Sequence, residues 1–175
     1  SILGDAQTRG LVVRNAVHEL SKSRTRKSSD KRNKPRLQVG IDIPTNEEVR
    51  AILSHASGRY RPLLVTMIFT GIRASEARGL RWADIDLKNA VLHVRQRADR
   101  YGDIGMPKTE AGARTIPLPP TVVNTLREWK LACPKSELGL AFPNQAGKAE
   151  YHGNMLHRGF WPIQIAAGLG VDSGK

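Results

Sequence analysis

The stretch PLLVTMIFTGIRASEARGLRWADIDL, Pro62 to Leu87, decides how this chain folds. Pro62 suits the first turn of a helix. Leu63 to Phe69 is apolar on every side, which predicts a helix buried all round. Gly71 can end that helix in the left-handed conformation, and a short second helix is expected from Ala74 to Leu80. Thr70-Gly71-Ile72-Arg73 therefore sets an arginine at a junction with rigid backbone on both sides. Arginine is the side chain suited to gripping two phosphate oxygens in one plane. The plainer possibility is that Arg73 only pairs with Glu76 three residues on, an ion pair of a few tenths of a kcal/mol. Spacing alone leaves both open.

Upstream, Thr45 and Glu48 form a capping-box pattern, with Val49, Ile52, Leu53 and Ala56 following at helical spacing. Downstream the period changes. Val91 to Val94, a stretch around Ile104 to Lys108, and Arg114 to Leu118 read as three short strands of one small antiparallel sheet. Pro119 and Pro120 close the sheet, and Thr121 is placed to cap a helix carrying Val122, Val123, Leu126 and Trp129. Leu140 to Phe142 reads as a further strand, and His152 to Leu169 as helical with Pro162 as an interruption. The fold class is α+β and mainly α, a helical domain with a small three-stranded antiparallel sheet.

Residues 44–175 read as the compact domain, residues 25–43 as a basic linker interrupted by Pro35 and Gly40, and residues 1–24 as the end of another helical domain. Leu11, Val12, Val13, Ala16, Val17 and Leu20 give that last piece its helical spacing. The 175 residues carry 28 Lys plus Arg against 16 Asp plus Glu, a net charge of +12. The segment SKSRTRKSSDKRNKPR, Ser21 to Arg36, supplies +7 of it. Such an excess draws polyanions. An acidic membrane surface would need an amphipathic basic helix, and this segment is poor in apolar residues, so nucleic acid leads.

Other chemistries find little support. No run is long and apolar enough to cross a membrane, and Ser1 to Gly10 does not resemble a secretory signal. Cys133 is the single cysteine and builds neither a disulfide nor a metal site alone. His18, His55, His93, His152 and His157 lack the paired spacing of zinc hydrolases, so no metal and no cofactor is expected. A lysine in the segment MPKTEAGARTIPL, Met106 to Leu118, would stand at a hairpin tip, free to reach a ligand held against the sheet. Most hairpin lysines are merely solvated.

Taken in order, these segments resemble the tyrosine recombinases, the lambda-integrase-like enzymes. TGIRASEARGLRWADIDL is similar to their first arginine box at Gly71, Arg73, Glu76, Leu80, Trp82, Asp84 and Asp86. PKTEAGARTIPLP is similar to their hairpin, with Lys108 in the place of the catalytic lysine. AFPNQAGK resembles the segment that follows, and RGLVVRNAV the end of the preceding core-binding domain. The resemblance runs from about residue 6 to residue 169 in the family's order.

The resemblance implies a site-specific DNA recombinase or prophage integrase, breaking and rejoining double-stranded DNA through a 3′-phosphotyrosyl link without ATP or metal. Arg73 would hold the non-bridging oxygens, Lys108 would protonate the leaving 5′-oxygen, and Glu76 would buttress the arginine. Lys22, Arg24, Arg26, Lys27, Lys31, Arg32, Lys34 and Arg36 would bind phosphates along the duplex. The expected assembly is a tetramer on two DNA sites. The expected location is the bacterial cytoplasm, on the nucleoid, with no membrane and no small-molecule substrate.

The family's His-x-x-Arg box is not found in these residues. Three places after the five histidines stand Ser21, Gly58, Gln96, Met155 and Phe160. Tyr60, Tyr101 and Tyr151 do not fall where the nucleophile would. The chain therefore reads as the front part of a catalytic domain, inactive alone, with exposed apolar faces expected after residue 150. A non-catalytic DNA-binding or regulatory module is the alternative, and an RNA-binding protein a weaker third.

Overall fold

A computed structural model describes residue 9, residues 37–106 and residues 112–170. Backbone contacts divide the chain into two units, Ser1–Pro44 and Thr45–Lys175. Apart from residue 9, the expected helical end at 1–24 and the linker up to Arg36, with the eight cations from Lys22 to Arg36, lie outside the described residues, as does Lys108. In the first unit, residues 38–43 form a tight turn in which the Gln38 carbonyl accepts from the amides of Ile41, Asp42 and Ile43.

The second unit begins as its pattern predicts. Thr45 Oγ1 accepts from the Glu48 amide and Glu48 Oε2 from the Thr45 amide, which closes the capping box of α1 (Asn46–His55). Helix α2 (Tyr60–Thr70) follows and ends at Gly71, which takes φ 65°. A side chain there would be strained, so glycine is the residue that permits the sharp exit. The predicted all-round burial of α2 is only partly met. Pro62 to Thr66 are buried, but Ile68 and Phe69 are exposed. An apolar helix surface is buried only where another element covers it, and among the described residues none covers that side of the last turn.

Helix α3 (Ala74–Gly79) leads through a 3-10 turn (Trp82–Asp84) into β1 (Ile85–Asp86). The sheet has the order β1–β2–β5, with β2 at Val91–Val94 and β5 at Arg114–Pro117. Both pairings are antiparallel, Ile85 opposite Leu92 and Leu92 opposite Ile116. This corrects the expected membership of the sheet. The third strand is Ile85–Asp86, while β4 (Ile104–Gly105) pairs with β3 (Arg97–Ala98) in a separate ribbon. Gly79 explains the departure. A Cβ on it would come within 2.6 Å of the Arg97 backbone, so the missing side chain lets β3 lie on α3 instead of joining the sheet.

Helix α4 (Pro120–Ala132) starts two residues earlier than expected, with Pro119 at the cap position and no side-chain cap. Thr121 lies inside the first turn and is not the cap. The two prolines fix φ at the entry and need no amide partner there. The segment at Leu140 forms a single bridge to Arg81, not a strand. The last helical stretch runs through α5 (His152–Asn154), a π-helical segment (Met155–Phe160) and α6 (Trp161–Ala166). Pro162 stands in the first turn of α6, and the wider π turn before it accommodates the missing amide without a break.

The core joins α2, α3, the sheet and α4 through Leu63, Val65, Ile72, Leu80, Leu92, Val122 and Leu126. Each such side chain contributes about 1.5–3 kcal/mol by leaving water. After residue 150 apolar surface remains exposed at Tyr151, Trp161 and Ile165, as the sequence leads one to expect.

Candidate active site

The chain after α2 has little freedom. Ile72 is buried in the core and Gly71 sets the exit direction, so Arg73 enters α3 in extended backbone at φ −69° and ψ 151°. Its amide donates to Glu76 Oε2 at 2.9 Å and its Nη1 to Glu76 Oε1 at 2.9 Å. The ion pair anticipated from spacing is therefore present. It is not the whole arrangement.

Glu76 is 4 % exposed and is shared. Arg114, the first residue of β5, donates Nη2 to Oε2 at 2.8 Å and Nη1 to Oε1 at 3.1 Å. Burial pushes the Glu76 carboxyl up. Hydrogen bonds from Arg114, from the Arg73 amide and from the Arg73 guanidinium, with the charge of Arg114, outweigh that and bring it from 4.5 down to about 2. The same bond raises the pKa of Arg114 above its ordinary value. Glu76 is thus an ionised acceptor shared by the two arginines.

Arg73 differs from its neighbour. Its side chain is 72 % exposed, and only Nη1 is engaged. Nε and Nη2 make no bond to the described residues, so one face of a fixed guanidinium is available to an anion. Lys108 and the eight cations from Lys22 to Arg36 lie outside the described residues.

Sequence reasoning missed Arg114. It stands within the quoted hairpin segment, but nothing in local spacing announces a partner 38 residues away. It also missed Arg78, a buried arginine on α3 that donates to the Glu150 carbonyl at 2.5 Å and the Asp99 carbonyl at 2.6 Å. Burial lowers its pKa, and the charges of Asp99 and Glu150 oppose the shift. Arg78 ties the β3–β4 ribbon and the turn before α5 to the back of the arginine helix. Arg59 adds a salt bridge to Glu150.

The tyrosines sit elsewhere. Tyr60 packs its ring against Gly159, where a Cβ would come within 2.6 Å of it, and its hydroxyl accepts from Arg59. Tyr101 and Tyr151 line a groove of about 820 Å³ together with Lys135, Lys148 and Asn154, and this groove contains none of Arg73, Glu76 and Arg114. Among the described residues the arginine cluster presents an exposed cation on a buried carboxylate base.

Comparison with known proteins bears on the same residues. Residues 44–161 match the sequence profile described as the phage integrase family. A prophage integrase, IntR of Escherichia coli (strain K12), is 29 % identical over 93 residues, which is 53 % of this chain and 23 % of that protein. A tyrosine recombinase described as XerC-like, from Caldanaerobacter subterraneus subsp. tengcongensis, is 27 % identical over 106 residues, 53 % of this chain and 27 % of its own length. The chain thus spans about a quarter of the length of these relatives. The fold is shared with the integrase of transposon Tn1549, solved in complex with a circular intermediate DNA. There the TM-score is 0.62 at 21 % identity, over 82 % of this chain and 50 % of the other. With the profile match running through α1 to the π-helical segment and enclosing Arg73, Glu76 and Arg114, this chain belongs to the phage integrase family.

Proposed function

We propose that this chain is the front part of the catalytic domain of a site-specific DNA recombinase that integrates a prophage or mobile element. The observation that carries the reading is the Arg73 guanidinium, fixed by Glu76 on one side and open on the other. It would grip the non-bridging oxygens of a scissile phosphodiester and offset the charge that builds up in the pentavalent transition state. A tyrosine hydroxyl attacks phosphorus and loses its proton to water, a 3′-phosphotyrosyl bond forms, and the bond to the 5′-oxygen breaks. Lys108 gives that oxygen its proton and a 5′-hydroxyl leaves. None of Tyr60, Tyr101 and Tyr151 enters the hydrogen-bond network of Arg73, and none of them is assigned as the nucleophile.

The basic segment Ser21 to Arg36 supplies affinity for the duplex, which weakens steeply with salt. The parent recombinase works as a tetramer on two DNA sites, in the bacterial cytoplasm. No helix among the described residues is long and apolar enough to cross a membrane.

Two measurements test this. A nicked duplex carrying the recombination site should trap a covalent adduct with the full recombinase and none with these 175 residues alone. Arg73→Ala or Lys108→Ala in the full protein should lower strand cleavage by at least about 100-fold while duplex affinity changes little. Unchanged cleavage in Arg73→Ala defeats the reading. A DNA-binding module without chemistry would bind duplex DNA and form no adduct in either form. Preference for RNA over duplex DNA at equal salt would contradict both.

A further inference from the structure

Beyond Arg73 and its buttress, the cluster poses a question of arrangement. A carboxylate left alone with one arginine forms the parallel two-bond pair that matches a guanidinium fork to two oxygens. Glu76 does not do so with Arg73. Arg114 holds both carboxylate oxygens, at 2.8 and 3.1 Å, and the Arg73 amide shares one of them at 2.9 Å. Arg73 is left with one side-chain bond, Nη1 to Oε1 at 2.9 Å, and an outward-facing remainder.

We propose that Arg114 is a positioning residue, which occupies Glu76 in the two-bond mode and so keeps the Arg73 guanidinium turned outward and available to a DNA phosphate. This rests on the reading of Arg73 as a phosphate ligand and names the residue that makes it one. Charge balance points the same way. One carboxylate between two guanidinium groups leaves the cluster with a net positive charge, whereas a closed Glu76–Arg73 pair would present none. Arg114 also opens β5, so the support of Arg73 comes from the first residue of a strand in the sheet. The low Glu76 pKa agrees with a carboxylate held by both arginines.

The test uses the chain itself with a short duplex oligonucleotide, in wild type, Arg114→Gln, Arg114→Lys and Arg73→Ala. Nuclear magnetic resonance follows the Arg73 side-chain N–H signal, assigned by its loss in Arg73→Ala, and the Glu76 carboxyl titration. In wild type the Arg73 signal should move on adding duplex. In Arg114→Gln the Glu76 midpoint should rise by about one pH unit or more, and the DNA-induced movement of Arg73 should fall at least about two-fold as the guanidinium closes onto Glu76. Arg114→Lys, which keeps the charge but not the fork, should fall between the two.

Full DNA-induced movement in a folded Arg114→Gln overturns the positioning role and leaves Arg73 as a phosphate ligand. An Arg73 signal that ignores duplex in wild type overturns the reading beneath it as well. Should Arg114→Gln fail to fold, Arg114→Lys carries the comparison, and an unchanged Glu76 midpoint with full Arg73 movement there overturns the proposal.

Discussion

Among the described residues two buried carboxylates are each held by two arginines, and they do different things. Asp84 is fully buried and accepts from Arg81 at 2.9 Å and from Arg95 at 3.3 Å. Both partners are near in sequence, and the cluster pins the 3-10 turn to the end of β2. Glu76 accepts from Arg73, three residues before it, and from Arg114, 38 residues after it. It also takes the Arg73 amide, so it fixes backbone and side chain together. The difference lies in reach. A local cluster staples one corner, whereas a long-range one joins a helix start to a distant strand and leaves an oriented cation outside.

Removal of each acid is the strongest way to break that comparison. Glu76→Gln should cost about 3 kcal/mol in urea unfolding, near the low end for breaking a buried ion pair because both guanidiniums keep some contact with water. Asp84→Asn should cost about 1.5 kcal/mol, since it loses two hydrogen bonds and not four. Equal costs would show that the wider network around Glu76 adds no more to stability than the local cluster at Asp84.

Acid comes next in size. The folded-state pKa of Glu76 lies below its ordinary 4.5, at about 2. Its contribution is therefore complete above about pH 4.5 and is lost as pH falls towards 2. The loss should be about 2 kcal/mol, after a discount for solvent around the partly exposed arginines. Urea midpoints for wild type and Glu76→Gln should converge over that window. Parallel curves would rule Glu76 out as the source.

The smallest effect sharpens the contrast from the Asp84 side. The Arg95 side chain is 59 % exposed, so Arg95→Ala should cost about 0.5 kcal/mol by thermal unfolding, with Arg81 still holding Asp84. A loss above about 2 kcal/mol would mean that the Asp84 cluster is as coupled as the one at Glu76.

Much of this chain is legible before folding is considered. The Thr45–Glu48 capping box, the Gly71 exit and the strands at Val91 and Arg114 follow from side-chain type and spacing over a few residues. Where sequence reasoning failed, the deciding contact was distant. The place of Ile104–Gly105 turns on Gly79 meeting the Arg97 backbone, and the first turn of α4 on two prolines displacing Thr121 as the cap. The exposure of Ile68 and Phe69 depends on which neighbours reach the last turn of α2.

Sequence by itself determined the helices, the strands at Val91 and Arg114, the fold class and the junction that presents Arg73, because helix caps, glycine exits and apolar periods act within a turn or two of chain. Only the tertiary structure decided that Arg73 points outward from a shared carboxylate. That outcome depends on Arg114 arriving from another strand, and local spacing carries no record of contacts made by residues far apart in the chain.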